Sequence, residues 1–172
     1  MHKYIAFLRG INVGNIRIKM PDLKAAFEKF GFQEVKTYLQ TGNVVFVADQ
    51  PIESIKTILE KGLSETFHYK AYVLLYEYAE LAAIIAGYPF PRDEHHHAYI
   101  VFVDKKAVLE ELQGLSRNLG EELQNLVFGE KVIYWKVVVS QSTDAPFSKT
   151  MAKAKYKSSL TVRNLNTLEK MV

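Results

Sequence analysis

The stretch Tyr4-Ile5-Ala6-Phe7-Leu8 contains no charged or amide side chain. Strand side chains alternate between two faces, so a run this apolar does not suit a sheet with one solvated face. It predicts a central strand, buried on both sides. Beyond it, Met20, Leu23, Phe27 and Phe30 recur at three- and four-residue spacing, the apolar stripe of a helix. Pro21 suits the first turn of that helix, and Gly31 suits a left-handed end. Val35 to Leu39 and Val44 to Val47 read as strands joined around Gly42-Asn43, a hairpin. Ile52, Ile55, Leu59, Leu63 and Phe67 mark a second amphipathic helix opened by Pro51, and Ala71 to Tyr76 is a further strand. Strand, helix, strand, strand, helix, strand is the ferredoxin-like order.

The second half repeats that order. A short helix from Tyr78 to Ala86, ended by Gly87, leads into a connector with Pro89 and Pro91. Tyr99 to Val103 echoes Tyr4 to Leu8, and Asp104 is placed to cap the next helix, with Val108 and Leu112 facing inward. Leu126 to Phe128 and Val132 to Val139 flank Gly129 as a second hairpin. Helices from about Ser148 and from about Arg163 close the chain. The expected architecture is α+β: two packed ferredoxin-like (α/β plait) subdomains with antiparallel sheets. Residues 1–91 form the first, and residues 92–172 form the second with basic C-terminal helices.

Of the 172 residues, 48% are hydrophobic and 24% charged, ordinary for a soluble globular protein. Cysteine is absent, which excludes disulfides and thiolate nucleophiles or metal ligands. The first residues run straight into strand pattern, without the apolar region of a signal peptide. No apolar run approaches the roughly 20 residues of a membrane span. A cytoplasmic protein with no membrane partner is expected. The net charge of +3 is unevenly distributed. Lys3, Arg9, Arg17 and Lys19 have no acid among them from Met1 to Pro21. Lys149, Lys153, Lys155, Lys157 and Arg163 have none from Ala145 to Leu168.

Several segments resemble a bacterial family catalogued as domain-of-unknown-function family 1697. They are Arg9-Gly10-Ile11-Asn12-Val13-Gly14 with Lys19-Met20, Gln40-Thr41-Gly42-Asn43-Val44-Val45-Phe46, Ser148-Lys149, and Thr161-Val162-Arg163-Asn164-Leu165-Asn166-Thr167. The chain departs from the pattern at Leu165, where the family has tryptophan, at Val162, and in a shorter loop at Asn15. The resemblance implies a doubled ferredoxin-like fold and carries no activity with it.

The Arg9–Lys19 loop is the first candidate site. Its glycines let backbone N–H groups approach an anion, and a helix N-terminus follows. It lacks the Gly-Lys-Ser/Thr ending of a Walker loop. The structural alternative makes the glycines turn formers, the asparagines local backbone partners, and Arg9 the partner of a carboxylate. Ser148-Lys149-Thr150 reads as a helix opening, with Ser148 as cap and Lys149 and Lys153 on one face. Thr161 reads as the cap of the last helix, with Arg163 and Asn164 in its first turn. A cation is unfavourable there, which points to an internal carboxylate or a bound anion as partner of Arg163. His95-His96-His97 opens a strand, so only His95 and His97 share a face; no metal site is expected, and the role of the run stays open. Glu110-Glu111 and Glu121-Glu122 read as solvated faces, and Tyr38, Tyr134 and Trp135 as core.

The expected function is non-catalytic binding of an anionic ligand: a phosphate-bearing small molecule, a nucleotide or nucleic acid. The site joins Arg9, Gly10, Asn12, Gly14, Lys19 and Asn43 with Ser148, Lys149, Arg163 and Asn164. No cofactor is expected. One alternative is an enzyme on a small phosphorylated or carboxylated substrate, with Asn12 and Asn43 polarising it and Arg9 orienting it. Another is a protein–protein interaction module whose motifs are structural. Oligomeric state is left open.

Overall fold

The structure, a computed structural model, describes residues 1–172. Two compact units divide the chain: Met1–Ala82 with Met171–Val172, and Ala83–Lys170.

The first unit contains β1 (His2–Arg9), α1 (Met20–Lys29), β2 (Gln33–Tyr38), β3 (Asn43–Ala48), α2 (Ile52–Phe67) and β4 (Tyr72–Glu77). The sheet is antiparallel in the order β2-β3-β1-β4, so β1 and β3 are central. Tyr4, Ala6 and Leu8 of β1 share one core with Phe46 of β3, Leu23 and Phe27 of α1, and Ile55, Leu59 and Leu63 of α2. The alternate residues Ile5, Phe7, Val45, Leu74 and Tyr76 are buried too. Both faces of this sheet are therefore dry, as the apolar run in β1 requires. Gly31, at φ +95°, ends α1. Its N–H donates to Glu28 O, and that of Phe32 to Phe27 O, which satisfies the last carbonyls of the helix.

A short helix, α3 (Tyr78–Ala86), spans the division between the units. The second unit then has β5 (His96–Val103), α4 (Lys106–Ser116), β6 (Leu126–Phe128), β7 (Val132–Val138), α5 (Pro146–Met151), β8 (Leu160–Asn164) and α6 (Leu165–Glu169). Its antiparallel order β6-β7-β5-β8 is the order of the first sheet, strand for strand. Val101, Leu112, Ile133, Trp135, Phe147, Tyr156 and Leu160 lie in its core. The fold is thus α+β, with two ferredoxin-like subdomains.

The C-terminal elements differ from their sequence reading. Ser148 lies inside α5, whose N-cap is Ala145, and Lys153 falls beyond the end of that helix. Thr161 and Arg163 belong to strand β8, not to a helix start. Leu160-Thr161-Val162 is rich in strand-favouring side chains, and the repeated topology needs a fourth strand here. The helix-dipole argument for Arg163 falls with this. Asn164, not Thr161, caps α6 by accepting the Asn166 N–H. Asp104 is not the cap of α4 either: Lys105 holds that position without a side-chain cap. The acidic pairs are structural in part. Glu111 accepts the Tyr156 hydroxyl at 2.9 Å, and Glu122 accepts the Phe147 N–H at the start of α5 at 3.1 Å.

Gly42, in the β2–β3 turn, has φ +79°, and a Cβ there would stand 2.8 Å from both Ile11 Cδ1 and Leu8 Cβ. Gly42→Ala is expected to cost about 2–3 kcal/mol in urea unfolding, through backbone strain and this clash together. A loss below about 0.5 kcal/mol would contradict the close approach of turn and loop.

Candidate functional site

The loop between β1 and α1 has an alternating backbone. Gly10, Asn12 and Gly14 have φ of +76°, +53° and +57°, while Ile11 and Val13 between them are not left-handed. Left-handed residues of this kind occur in nests, where successive N–H groups line a concavity suited to an anion. No protein acceptor takes the N–H groups from Gly10 to Asn15. Asparagine tolerates the left-handed region, and here its side chain also fixes the loop. Asn12 Nδ2 donates to Gln40 O at 2.6 Å and to Ile18 O at 3.2 Å, and the Ile18 N–H donates back to Asn12 Oδ1 at 2.9 Å. Ile11 and Ile18 are buried and anchor the loop from below.

Asn43 is fully buried, and its Nδ2 donates to Tyr38 O at 3.0 Å and Thr41 Oγ1 at 2.7 Å. Asn12 and Asn43 therefore hold the same hairpin turn from two directions. Arg9 ends β1 opposite Tyr72 and is half-buried; burial pushes its guanidinium below the usual arginine range. Lys19 is exposed at the N-cap of α1, which has no side-chain cap, with Asp22 in the first turn. Arg17 is exposed and donates to Ile16 O.

In the second unit, Lys149 is exposed on α5 and Ser148 half-buried. Arg163 Nη1 donates to Thr161 Oγ1 at 2.7 Å and Val162 O at 3.0 Å. Asn164 lines a hollow of about 60 Å³ with Tyr88, Arg92, Asp93, His96, Lys136 and Asn166, and none of Ser148, Lys149 and Arg163 reaches it.

Beside that hollow is a cluster that reading the sequence missed. Asp93 Oδ1 lies 2.7 Å from His96 Nδ1 and accepts the His95 N–H at 2.9 Å, and Oδ2 lies 3.0 Å from Lys136 Nζ. Hydrogen bonds from His96 and then Lys136 hold the Asp93 carboxyl well below the usual carboxylate range. Asp-Glu-His-His at a strand entrance carries a signal for Asp93 and His96, but no sequence spacing points to Lys136, forty-three residues on. The three histidines do different things. His95 is exposed near Glu94, His96 turns to Asp93, and the His97 ring lies against Tyr99 with centroids 5.2 Å apart.

The sequence profile of a family described as "Protein of unknown function (DUF1697)" matches residues 1–134. The chain belongs to this family. Among solved structures it is similar to the conserved bacterial protein SP0830 from Streptococcus pneumoniae, at 22% sequence identity and a TM-score of 0.81. That match covers 99% of this chain and 96% of the other, and at this identity it is a likeness of fold. No curated protein matches the chain. No helix of this DUF1697 chain is long and apolar enough to cross a membrane.

Asp93 gives a pH prediction. A carboxyl whose pKa is depressed by folding stabilises the fold above the ordinary aspartate value, and that stabilisation is lost as pH falls towards the folded value. Asp93→Asn should therefore lower the thermal midpoint at pH 7, with the gap to the wild type closing below about pH 4. A gap that stays constant from pH 7 to pH 3 would contradict an ionised, paired Asp93.

Proposed function

We propose that this DUF1697 chain is a non-catalytic binding protein for a phosphate-bearing ligand of the nucleotide or nucleic-acid class, held by the Arg9–Lys19 loop. The observation that carries this reading is the alternation of left-handed residues at Gly10, Asn12 and Gly14, which leaves the N–H groups from Gly10 to Asn15 without protein acceptors. A nest of this kind favours an oxyanion. Arg17 and Lys19 add mobile positive charge to it, and no carboxylate occurs between Met1 and Pro21 to compete. Arg9, less hydrated at the strand end, suits bidentate recognition of a phosphate.

Two features favour binding over turnover. The Asn12 and Asn43 amides are committed to backbone groups, and the loop contains no histidine, aspartate or glutamate to act as a general base. Phe7 and Tyr76 are buried on the sheet, so base stacking on that surface is not the mode, and any nucleic acid would be held through its phosphates.

ATP titrated into the ¹⁵N-labelled protein tests the reading. The amides of Gly10 to Asn15 should shift, and Arg17→Ala combined with Lys19→Ala should weaken binding about tenfold or more, as expected for loss of charged hydrogen bonds. Binding should also weaken as salt rises. Loop amides that stay still at saturating ATP, or an undiminished affinity in the double variant, would overturn it.

A further inference from the structure

The hollow of the second unit is a second place where hydrogen-bonding capacity is left over, and most of the surplus is donors. Its carboxylate and amide groups are each engaged by its own donors. Asn164 Oδ1 takes the Asn166 N–H at 2.9 Å in capping α6. Asn166 Oδ1 takes an N–H from Arg92 Nη2, and Glu169 Oε1 takes one from Arg92 Nη1 at 2.5 Å. Asp93 takes the His95 N–H and His96 on one oxygen and Lys136 on the other, and Pro91 O takes a further N–H from Lys136 at 3.2 Å.

The donors are not consumed. Because each Asn oxygen is fixed by its partner, each Nδ2 is fixed as well, and neither Asn164 Nδ2 nor Asn166 Nδ2 has a protein acceptor. Arg92 uses two of its five N–H groups in these bonds, and Lys136 retains one of three. Arg92 is offset by Glu169, and Lys136 by Asp93. The surroundings are therefore close to neutral, and what they present is an array of oriented donors. An occupant must bring acceptors. A metal ion or an amine does not meet that requirement, whereas a small oxyanion does.

We propose that this hollow binds a compact oxyanion, a phosphate or carboxylate group, through the side-chain N–H₂ groups of Asn164 and Asn166 with Arg92 and Lys136 beside them. The site is separate from the loop of the first unit. It gives the Arg163-Asn164-Leu165-Asn166 segment a purpose beyond starting α6.

Asparagine-to-aspartate changes test it cleanly. Asn164→Asp keeps an oxygen to cap α6, and Asn166→Asp keeps an oxygen for Arg92, so both spare the fold while replacing the donors with acceptors. In ¹⁵N spectra of the full chain, inorganic phosphate and acetate are titrated separately, and the two Asn side-chain N–H₂ signals are followed. At least one anion should shift both signals, and each aspartate variant should weaken that binding at least tenfold with an unchanged thermal midpoint. Tighter binding of phosphate assigns the site to phosphoryl groups, and tighter binding of acetate to carboxylates. If neither anion moves the signals, or if the variants bind as well as the wild type, the site is refuted. The loop amides of Gly10 to Asn15 are recorded in the same spectra, so failure at one place is distinguishable from failure at the other.

Discussion

One asparagine side chain holds the most unusual backbone of this protein in place. Asn12 closes its own loop through Ile18 and bridges to Gln40 in the neighbouring hairpin turn. Without those bonds, a segment with two exposed glycines would sample many conformations, and its N–H groups would point nowhere in particular. With them, the loop is tied to the hairpin turn in one shape, as the proposed binding requires. Preorganisation of this kind lowers the ordering cost of binding, which separates a site from a flexible connection. Asn43 supports the arrangement from the other side, since its own donors fix the turn that Asn12 grips.

The fold limits where a polar ligand can be held. In the first sheet, Ile5, Phe7, Val45 and Leu74 are buried on the face opposite the helices. In the second, Ile100, Phe102 and Val132 are buried likewise. With both sheet faces dry, polar recognition is left to strand ends and the segments joining them. The β1–α1 loop and the hollow at the β8–α6 junction are both of this type. Each lies where a strand hands over to a helix, the loop with backbone N–H groups to spare and the hollow with side-chain N–H₂ groups.

Most of the scaffold was legible in the sequence because burial leaves a periodic trace. The stripe Met20, Leu23, Phe27, Phe30 and the unbroken run Tyr4 to Leu8 fixed element type and depth, and the repeated order fixed the fold class. Near the C-terminus the helices α5 and α6 were legible, and the strand Leu160–Asn164 between them was not, for a physical reason. Leu160 to Asn164 is a five-residue edge strand that runs directly into α6 with no turn between them, so Thr161 reads in sequence as a helix cap rather than as a strand residue. The loop motif announced itself through Gly-Ile-Asn-Val-Gly, yet the division of labour within it was not readable. Only coordinates show that Asn12 faces Gln40, twenty-eight residues away, while the glycines face solvent. Asp93 was hidden for a similar cause: its partners His96 and Lys136 meet through strand pairing, which sequence spacing does not express.

The central claim is that Asn12 makes the loop rigid in an anion-ready shape, and backbone ¹⁵N relaxation measures this directly. The order parameters of Gly10 to Asn15 should match those of β1, near 0.85, in the wild type and fall below about 0.6 in Asn12→Ala. Low values in the unaltered protein, or a loop that stays rigid after Asn12 is removed, would contradict the account.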